Sequence, residues 1–379
     1  MKIILASGEF PPKVSGIARF SGRLAHGLES AGNTVEVITE GRGLRRVGRV
    51  AVLDDVGRAK IDKGGDILQV IGPTPLFTEQ CVRLGQRRDL PVVYRLDAMP
   101  GLQTYYDNWL TRTVDWAYRR IGLYPTLRNI DCAVFTTVDL ALNYGPYRVP
   151  YEVIRAEIDP CDCPIERGPD SQSDKDASRK GNGPSLLFVG QLRPYKGVRF
   201  LLRSLPLLEQ MTGQTFSLTI AGEGPERGSL TRLTESLGLH NSVRFLGPVS
   251  DSDLHSLYRS HGILVLPSVC SESFGLVLVE ARRHGMQVIG TNLPGVREVV
   301  RSLGGIVVPP KNPLALATGI VTLMKQDLAE TNVFSLDLSS KGHEAELSSY
   351  LSLYSKLVSG SRPSDHLFSV SEPALANSH

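Results

Sequence analysis

The chain alternates short β-branched runs with longer amphipathic segments, and this alternation limits the folds open to it. Five runs fall in the first half: "KIILA", "TVEVIT", "DILQVI", "PVVYRL" and "DCAVFT". Six fall in the second half: "SLLFVG", "FSLTIAG", "VRFLG", "GILVLP", "QVIG" and "GIVV". Strands that alternate with helical stretches form parallel sheets flanked by helices. The pattern therefore predicts an α/β fold.

A polar segment, residues 166–184, separates the two sets of strands, and Ala177 is its only residue that could help a core. A chain of 379 residues exceeds the size at which one core stops growing. We therefore expect two Rossmann-like domains facing each other across a cleft, rather than one large sheet with an insertion. The cleft is the expected active site. The predicted parts are residues 1–164, a linker at 165–184, residues 185–342, a helix at 343–359 with the option of crossing back to the first domain, and a disordered tail at 360–379.

Composition excludes several classes of protein. The chain has 42 basic and 39 acidic residues and a formal charge of +3, which is too balanced to indicate nucleic acid as a partner. Five cysteines do not suggest a disulfide framework, and Cys161 and Cys163 lack the second ligand pair of a zinc site. No apolar run approaches the roughly 20 residues of a membrane span. We expect a cytoplasmic protein, with peripheral attachment to the inner face of a membrane left open.

Two strand-to-helix turns carry residues suited to phosphate. In the first domain, Ser15 and Gly16 stand where a helix begins, and a glycine there lets a phosphate approach the helix N-terminus. In the second domain, "QLRPYKG" places Arg193 and Lys196 after a strand, where two cations can hold a diphosphate. For each residue alone, an ordinary solvated turn is the competing interpretation.

A third turn, "IAGEGPERGSL", supplies Gly222 and Glu223 at another strand end. Its G-x-G is common, and the dinucleotide fingerprint G-x-G-x-x-G is not completed because residue 227 is Arg. The Asp251-Ser252-Asp253 sequence resembles a metal-binding motif but opens a predicted helix, so capping explains it better. We expect no metal and no cofactor.

The segment "VCSESFGLVLVEARRHG" places Glu272 in a loop and Glu280 inside a buried helix predicted from Phe274 onward. Eight residues of continuous helix would separate the two acids by ~12 Å, which is more than a hydrolase carboxylate pair accepts. A nucleotide sugar fits better: N–H groups of Phe274, Gly275 and Leu276 take the diphosphate, and the two acids take hydroxyls on either side. A buried glutamate needs such partners, whereas Glu272 could also be an ordinary surface acid.

These blocks resemble, in order and spacing, the second domain of retaining GT-B glycosyltransferases of family 4, which are related to bacterial glycogen synthase. The match runs over about residues 185–310, with a further match in "SGEFPPKVSGIARF". The resemblance implies an acceptor domain followed by a donor domain. It also implies that Glu280 binds the ribose, Glu272 the transferred sugar, Arg193 and Lys196 the diphosphate, and that Gly16 approaches the phosphate from the other domain.

The chain departs from the pattern of that family at several positions. Gln191 stands where an arginine is usual, and Arg193 is expected to take over its phosphate role. Gln69 and Ile71 stand where histidines often appear, and Asp97 replaces a histidine near the sugar, which makes Asp97 a candidate contact for the acceptor or the sugar. "RAEID" replaces the familiar "PNGVD" turn. These departures concern sugar identity rather than the fold.

We therefore predict a metal-independent, retaining transfer of a sugar from a nucleotide-diphosphate donor to a hydroxyl acceptor, which could be a glycan, a glycolipid or a small molecule. A nucleotide-sugar epimerase and a non-catalytic nucleotide-sugar-binding subunit remain the alternatives. Residues 105–129 interleave aromatic and basic side chains as interfacial helices do, although a packed helix with a basic outer face explains them equally well. That pattern predicts weak contact with anionic membranes; its residues are Trp109, Arg112, Trp116, Tyr118, Arg119, Arg120, Tyr124 and Arg128.

Overall fold

The computed structural model describes residues 1–12, 15–39, 45–47, 50–53, 66–72, 75–97, 113, 117–144, 149–156, 183–326 and 342–360. They form two compact units, each with its own sheet. The first unit takes the described residues within Met1–Asp97, Trp116–Arg155 and Leu347–His379. The second takes those within Ala98–Asp115 and Ala156–Glu346. Cys161 and Cys163 and most of the polar segment at 166–184 lie outside the described residues.

The first sheet has eight strands: β1 Lys2–Ser7, β2 Thr34–Thr39, β3 Arg45–Val47, β4 Val50–Leu53, β5 Ile67–Ile71, β6 Val92–Arg95, β7 Cys132–Phe135 and β8 Tyr151–Val153. Their order is β3-β4-β2-β1-β5-β6-β7-β8. Neighbours pair in parallel, except for the antiparallel pair of β3 and β4 at one edge. All five runs predicted in this half are strands, while β3, β4 and β8 were not predicted.

The helices of this unit are α1 Gly16–Ser30, α2 Pro75–Arg87, a π-helical turn Tyr118–Leu123 that continues into α3 Tyr124–Leu127, and α4 Val138–Asn143. The π-helical turn and α3 belong to the C-terminal part of the aromatic and basic stretch at residues 105–129. Trp109, Arg112 and Trp116 lie outside the described residues. No helix among the described residues is long and apolar enough to cross a membrane.

The second sheet is entirely parallel and confirms all six predicted runs. Its strands are β9 Leu186–Val189, β10 Leu218–Ala221, β11 Val243–Gly247, β12 Ile263–Leu266, β13 Gln287–Thr291 and β14 Ile306–Val308, in the order β11-β10-β9-β12-β13-β14. Alternate residues of β12 enter opposite cores, Ile263 and Val265 on one face, Leu264 and Leu266 on the other. Both faces are covered, as is usual for parallel sheets.

The helices of the second unit begin after a 3₁₀ turn at Pro194–Lys196. They are α5 Val198–Thr212, α6 Arg227–Ser236, α7 Asp251–Ser260, α8 Leu276–Arg283, α9 Arg297–Ser302 and α10 Pro313–Lys325. The predicted start of α8 at Phe274 is two residues early. Gly275 has a φ of 76°, a left-handed conformation that cannot be part of a right-handed helix, so α8 begins only after it. Phe274, before this glycine, is buried in the core.

A last helix, α11 Gly342–Val358, packs its apolar face into the core of the first unit. Tyr350 and Tyr354 are fully buried there, and the Tyr354 hydroxyl donates to Oε1 of Gln69 on β5 at 2.8 Å. Gln69, which stands where the family that the sequence resembles often has histidine, is in this chain a buried partner of the C-terminal helix.

Candidate functional site

The loops after β9 and β12 meet at the point where the strand order of the second sheet reverses. β9 leads on to β10 on one side, and its neighbour β12 leads on to β13 on the other. Open α/β sheets bind ligands at such switch points, outside the carboxyl ends of the strands. Lys196 lies in the first loop and Glu272 in the second. The topology therefore places two predicted site residues where a ligand is expected.

Lys196 and Glu272 form an ion pair. The Lys196 ammonium donates to both carboxylate oxygens of Glu272, at 2.7 and 2.9 Å, and the Ser268 hydroxyl donates to the same carboxylate. The two charged side chains are 17% and 14% exposed. Burial lowers the pKa of Lys196, but the Glu272 carboxylate outweighs it, so this pKa lies above its ordinary value. The ammonium is therefore charged at neutral pH, and one of its three hydrogens has no acceptor among the described residues.

Two glycines with positive φ let the loops come close enough for this pair to form. A Cβ on Gly197 would lie 2.0 Å from the carbonyl oxygen of Pro267, and one on Gly295 would lie 1.8 Å from that of Glu272. Backbone bonds join the same segments, from Val269 N to Tyr195 O at 2.8 Å and from the N–H of Glu272 to the loop after β13. Three loops are thus held together by their backbones around the ion pair.

Helix α8 begins directly after the loop that carries Glu272, and its first turn has unused hydrogen-bond donors. Among the described residues, the backbone N–H groups of Phe274, Gly275, Leu276 and Val277 donate to no acceptor, whereas that of Leu278 donates to the Gly275 carbonyl at 2.9 Å. Such a helix start attracts anions, because the unpaired N–H groups and the helix dipole both favour negative charge.

Glu280 lies one turn further along α8 and is half-buried. Its Oε2 accepts a hydrogen bond of 2.6 Å from the hydroxyl of Tyr258 on α7. The Cα–Cβ bonds of a helix tilt toward its N-terminus, so the Glu280 side chain leaves the helix on the side of the first turn. Glu272 and Glu280, eight residues apart, are not on one continuous helix: Glu272 stands before α8, and Glu280 within it, as predicted.

Arg193 is exposed, and its Nε donates to Oε1 of Gln191 at 3.0 Å. Gln191 stands where an arginine is usual in the family that the sequence resembles. It thus contacts Arg193, the residue expected to take over the phosphate role of that arginine. Both side chains lie in the same loop as Lys196.

The G-x-G turn has a packing explanation. A Cβ on Gly222 would lie 1.9 Å from the carbonyl oxygen of Gly190, and one on Gly224 would lie 2.4 Å from that of Leu192. The exposed Glu223 carboxylate accepts from the N–H of Gly224 at 3.1 Å. These glycines hold the turn against the loop after β9, and the donor-binding role of Gly222 and Glu223 stays a prediction.

In the first unit, Ser15 caps α1 by accepting from the N–H of Ala18 at 3.0 Å, and its hydroxyl donates to Glu9. Gly16 follows as the first residue of the helix, and a Cβ there would meet nothing within 4 Å. No packing within the described residues requires this glycine. Its loop follows β1, which lies at the switch point of the first sheet between β2 and β5.

Asp97 follows β6 and is only 5% exposed. Its Oδ1 lies 3.4 Å from Nε of Arg95, whose guanidinium stacks on the ring of Phe20 at 3.4 Å. The carboxylate is thus engaged by a buried cation of its own unit. Its contact with sugar or acceptor stays a prediction.

The Asp251-Ser252-Asp253 sequence opens α7, as predicted, and Ser250 caps that helix by accepting from the N–H of Asp253 at 3.2 Å. Within the described ranges, no group of three or more His, Cys, Asp or Glu side chains could hold a metal ion.

Sequence reasoning missed Ser268, Tyr258, Gly197 and Gly295. The glycines that directly follow "RPYK" and "NLP" were visible signals of tight turns. No local pattern showed that Tyr258 reaches Glu280, because the contact joins two helices 22 residues apart in sequence.

Comparison with known proteins shows which protein family this chain resembles. Residues 170–334 match the family described as glycosyl transferases group 1. An uncharacterised glycosyltransferase of Methanocaldococcus jannaschii is 27% identical over 360 residues, which cover 84% of this chain and 88% of that protein. The glycogen synthase of Mycobacterium tuberculosis is 25% identical, with 87% of each chain covered. The comparisons support a glycosyltransferase of the group 1 type.

Solved structures show the same fold. Sucrose-phosphate synthase of Thermosynechococcus elongatus superposes with a TM-score of 0.70 at 18% identity, covering 95% of this chain and 99% of that one. HepE of Anabaena, in complex with UDP-glucose, gives a TM-score of 0.65 at 16% identity, covering 95% and 100%. The fold of this chain is therefore GT-B.

Proposed function

We propose that this protein is a retaining glycosyltransferase of family 4 that moves a sugar from a nucleotide-diphosphate donor to a hydroxyl acceptor. One observation carries the proposal: the partly buried Lys196–Glu272 ion pair lies at the switch point of the second sheet, and Glu272 is in the loop that leads directly into the unpaired N–H groups at the start of α8. A charged ammonium and free N–H groups suit a diphosphate. The segment that holds them is the one that matches the glycosyl transferases group 1 family.

In the proposed complex, the remaining ammonium hydrogen of Lys196 and the N–H groups of Phe274, Gly275 and Leu276 bind the diphosphate. Arg193 adds a second cation from the same loop. Glu280 accepts hydrogen bonds from the ribose hydroxyls, and Glu272, which holds Lys196, faces the sugar. Each group then meets the part of the donor whose chemistry it complements.

In the proposed reaction, the bond between the anomeric carbon and the diphosphate oxygen breaks, and the acceptor oxygen bonds to that carbon on the same face. The departing diphosphate accepts the proton of the acceptor hydroxyl. Negative charge grows on the diphosphate as the bond breaks, so Lys196, Arg193 and the start of α8 stabilise the transition state more than the ground state. These groups supply the positive charge that a metal ion would otherwise provide.

The relatives and the matched family are transferases, so the epimerase alternative is not favoured. UDP-sugars are the first donors to test, because HepE was solved with UDP-glucose. GDP- and ADP-sugars follow. A glycan, a glycolipid or a small molecule remains the proposed acceptor.

We keep weak peripheral contact with the cytoplasmic face of a membrane as a proposal. Leu76 on α2 and Ile121 on the π-helical turn are 73% and 74% exposed, on two elements that pack together. Arg120, next to Ile121, is also exposed. Apolar and basic side chains on one surface suit an anionic lipid interface.

The donor proposal is tested by a thermal-shift screen of UDP-, GDP- and ADP-sugars. A ligand that binds only the folded state stabilises it by about 2.7 kcal/mol at a hundred times its Kd. We expect one nucleotide class to raise the Tm of the wild type. Lys196→Ala should abolish most of that shift, while Lys325→Ala, which removes an exposed lysine at the end of α10, should keep it. No shift with any donor, or a full shift in Lys196→Ala, would contradict the proposal.

A further inference from the structure

A buried tyrosine contacts the carboxylate proposed to bind the ribose. Tyr258 lies on α7 and is 1% exposed. Its hydroxyl donates to Oε2 of Glu280 on α8 at 2.6 Å, a short bond of the charge-assisted kind. Because the ring is buried, Tyr258 itself is shielded from any ligand at the switch point.

The tyrosine ring is held by contacts that need no ligand. It packs against the ring of His284, with 5.3 Å between centroids and the ring planes tilted by 35°. The Nδ1 of His284 lies 2.8 Å from the carbonyl oxygen of Glu280, and its Nε2 lies 3.2 Å from Nδ1 of His255 on α7. If Nδ1–H of His284 donates to the carbonyl, Nε2 accepts from His255. The ring of Tyr258, itself on α7, is therefore packed against a residue that caps α8.

A glutamate side chain has several rotatable bonds and loses rotamer freedom when a ligand immobilises it. The bond from Tyr258 restricts the Glu280 carboxylate before any donor arrives. Groups that are already oriented by their neighbours bind with less loss of entropy. Part of the conformational entropy of the Glu280 side chain is thus already lost on folding, so less is lost when the donor binds.

We infer that Tyr258 is a positioning residue for donor binding, which holds the Glu280 carboxylate in the orientation that receives the ribose hydroxyls. The inference rests on the proposed function, because Tyr258 acts only through Glu280. It predicts that Tyr258→Phe weakens binding of the nucleoside diphosphate about tenfold and raises the donor KM, while kcat changes little.

A double-mutant cycle tests the inference by calorimetry, with UDP, GDP and ADP each titrated into the full chain. The variants are Tyr258→Phe, Glu280→Ala and the double variant. We expect Tyr258→Phe to weaken binding in the wild-type background and to have no further effect once Glu280 is alanine. Glu280→Asp shortens the side chain but keeps its charge, and it should also lower nucleotide affinity. Combined with Tyr258→Phe, it should lower affinity by less than the sum of the two single losses.

Tyr354→Phe is the matched control. Tyr354 is also fully buried and also donates to a side-chain oxygen, but in the first unit. It should lower the Tm by a similar amount and leave nucleotide affinity unchanged. Comparison of the two variants separates general destabilisation from the positioning of Glu280.

Each other outcome overturns a definite statement. Unchanged affinity in Glu280→Ala would remove the ribose assignment in the proposed function. A loss in Glu280→Ala with none in Tyr258→Phe would remove the positioning inference alone. An equal loss from Tyr258→Phe in both backgrounds would show that Tyr258 does not act through Glu280. A loss of affinity in Tyr354→Phe would show that general destabilisation, rather than the positioning of Glu280, lowers nucleotide affinity.

Discussion

At the scale of single residues, the ammonium of Lys196 is central, because its charge and position depend on one partner. Glu272 binds it through both carboxylate oxygens and raises its pKa against the opposing effect of burial. Without that carboxylate, a mostly buried cation would have no ionic partner among the described residues. The diphosphate of a donor would then become its only counter-charge.

This reasoning predicts the behaviour of Glu272→Gln. The variant should lose about 1–3 kcal/mol of apo stability, because a charged group is left poorly compensated. Free nucleoside diphosphate should then raise its Tm by more than it raises that of the wild type, because the phosphate replaces the lost charge. Sugar transfer should fall, since Glu272 is proposed to face the sugar.

Differential scanning fluorimetry with and without nucleotide measures both effects. Glu235→Gln, on an exposed position of α6, serves as the control and should match the wild type. An apo Tm equal to that of the wild type would show that the pair contributes nothing to stability. A lower apo Tm with a smaller nucleotide shift would show that Lys196 does not meet the phosphate.

At the scale of elements, the site consists of three loops from three neighbouring strand ends. Gly295 lies in the loop after β13, and its backbone abuts the carbonyl of Glu272. Thr291, at the end of β13, donates to the Ser268 carbonyl at 2.7 Å. Movement of the loop after β13 would therefore move Glu272, and with it Lys196.

We predict that Gly295→Ala lowers turnover about tenfold or more, because small displacements of reacting groups are costly. The added Cβ would overlap the Glu272 carbonyl, and the φ of 79° adds about 1 kcal/mol of strain. Gly238→Ala is the control, because its φ of 71° imposes the same strain with no atom within 4 Å of the Cβ. The initial rates of the two variants are compared at a temperature below the Tm of both. Equal rates would show that the glycine contact does not position the site.

At the scale of the whole molecule, the fold follows from local patterns, whereas the contacts of the site do not. All eleven predicted runs are strands, since continuous β-branched runs between helical segments suit a sheet covered on both faces. The strands β3, β4 and β8 were not among the predicted runs. The residues after β9 and β12 could be recognised as candidates from their types and spacing.

Pairings between distant residues could not be predicted in the same way. The bonds between Lys196 and Glu272 and between Tyr258 and Glu280 join residues 76 and 22 positions apart, and the bond from Tyr354 to Gln69 spans 285. Such contacts depend on strand order and helix packing, which a single sequence does not display. The left-handed Gly275 likewise shifted the start of α8 in a way that periodicity did not reveal.

The central claim is that the full chain transfers a sugar from a nucleotide-diphosphate donor and uses Lys196 to stabilise the departing diphosphate. The most direct measurement is the rate at which nucleoside diphosphate is released from the donor found in the thermal-shift screen, with a panel of hydroxyl acceptors present. The account predicts acceptor-dependent release by the wild type and a rate at least about a hundredfold lower for Lys196→Ala, comparable to the loss of one transition-state donor. Donor binding without release, or equal release by Lys196→Ala, would contradict it.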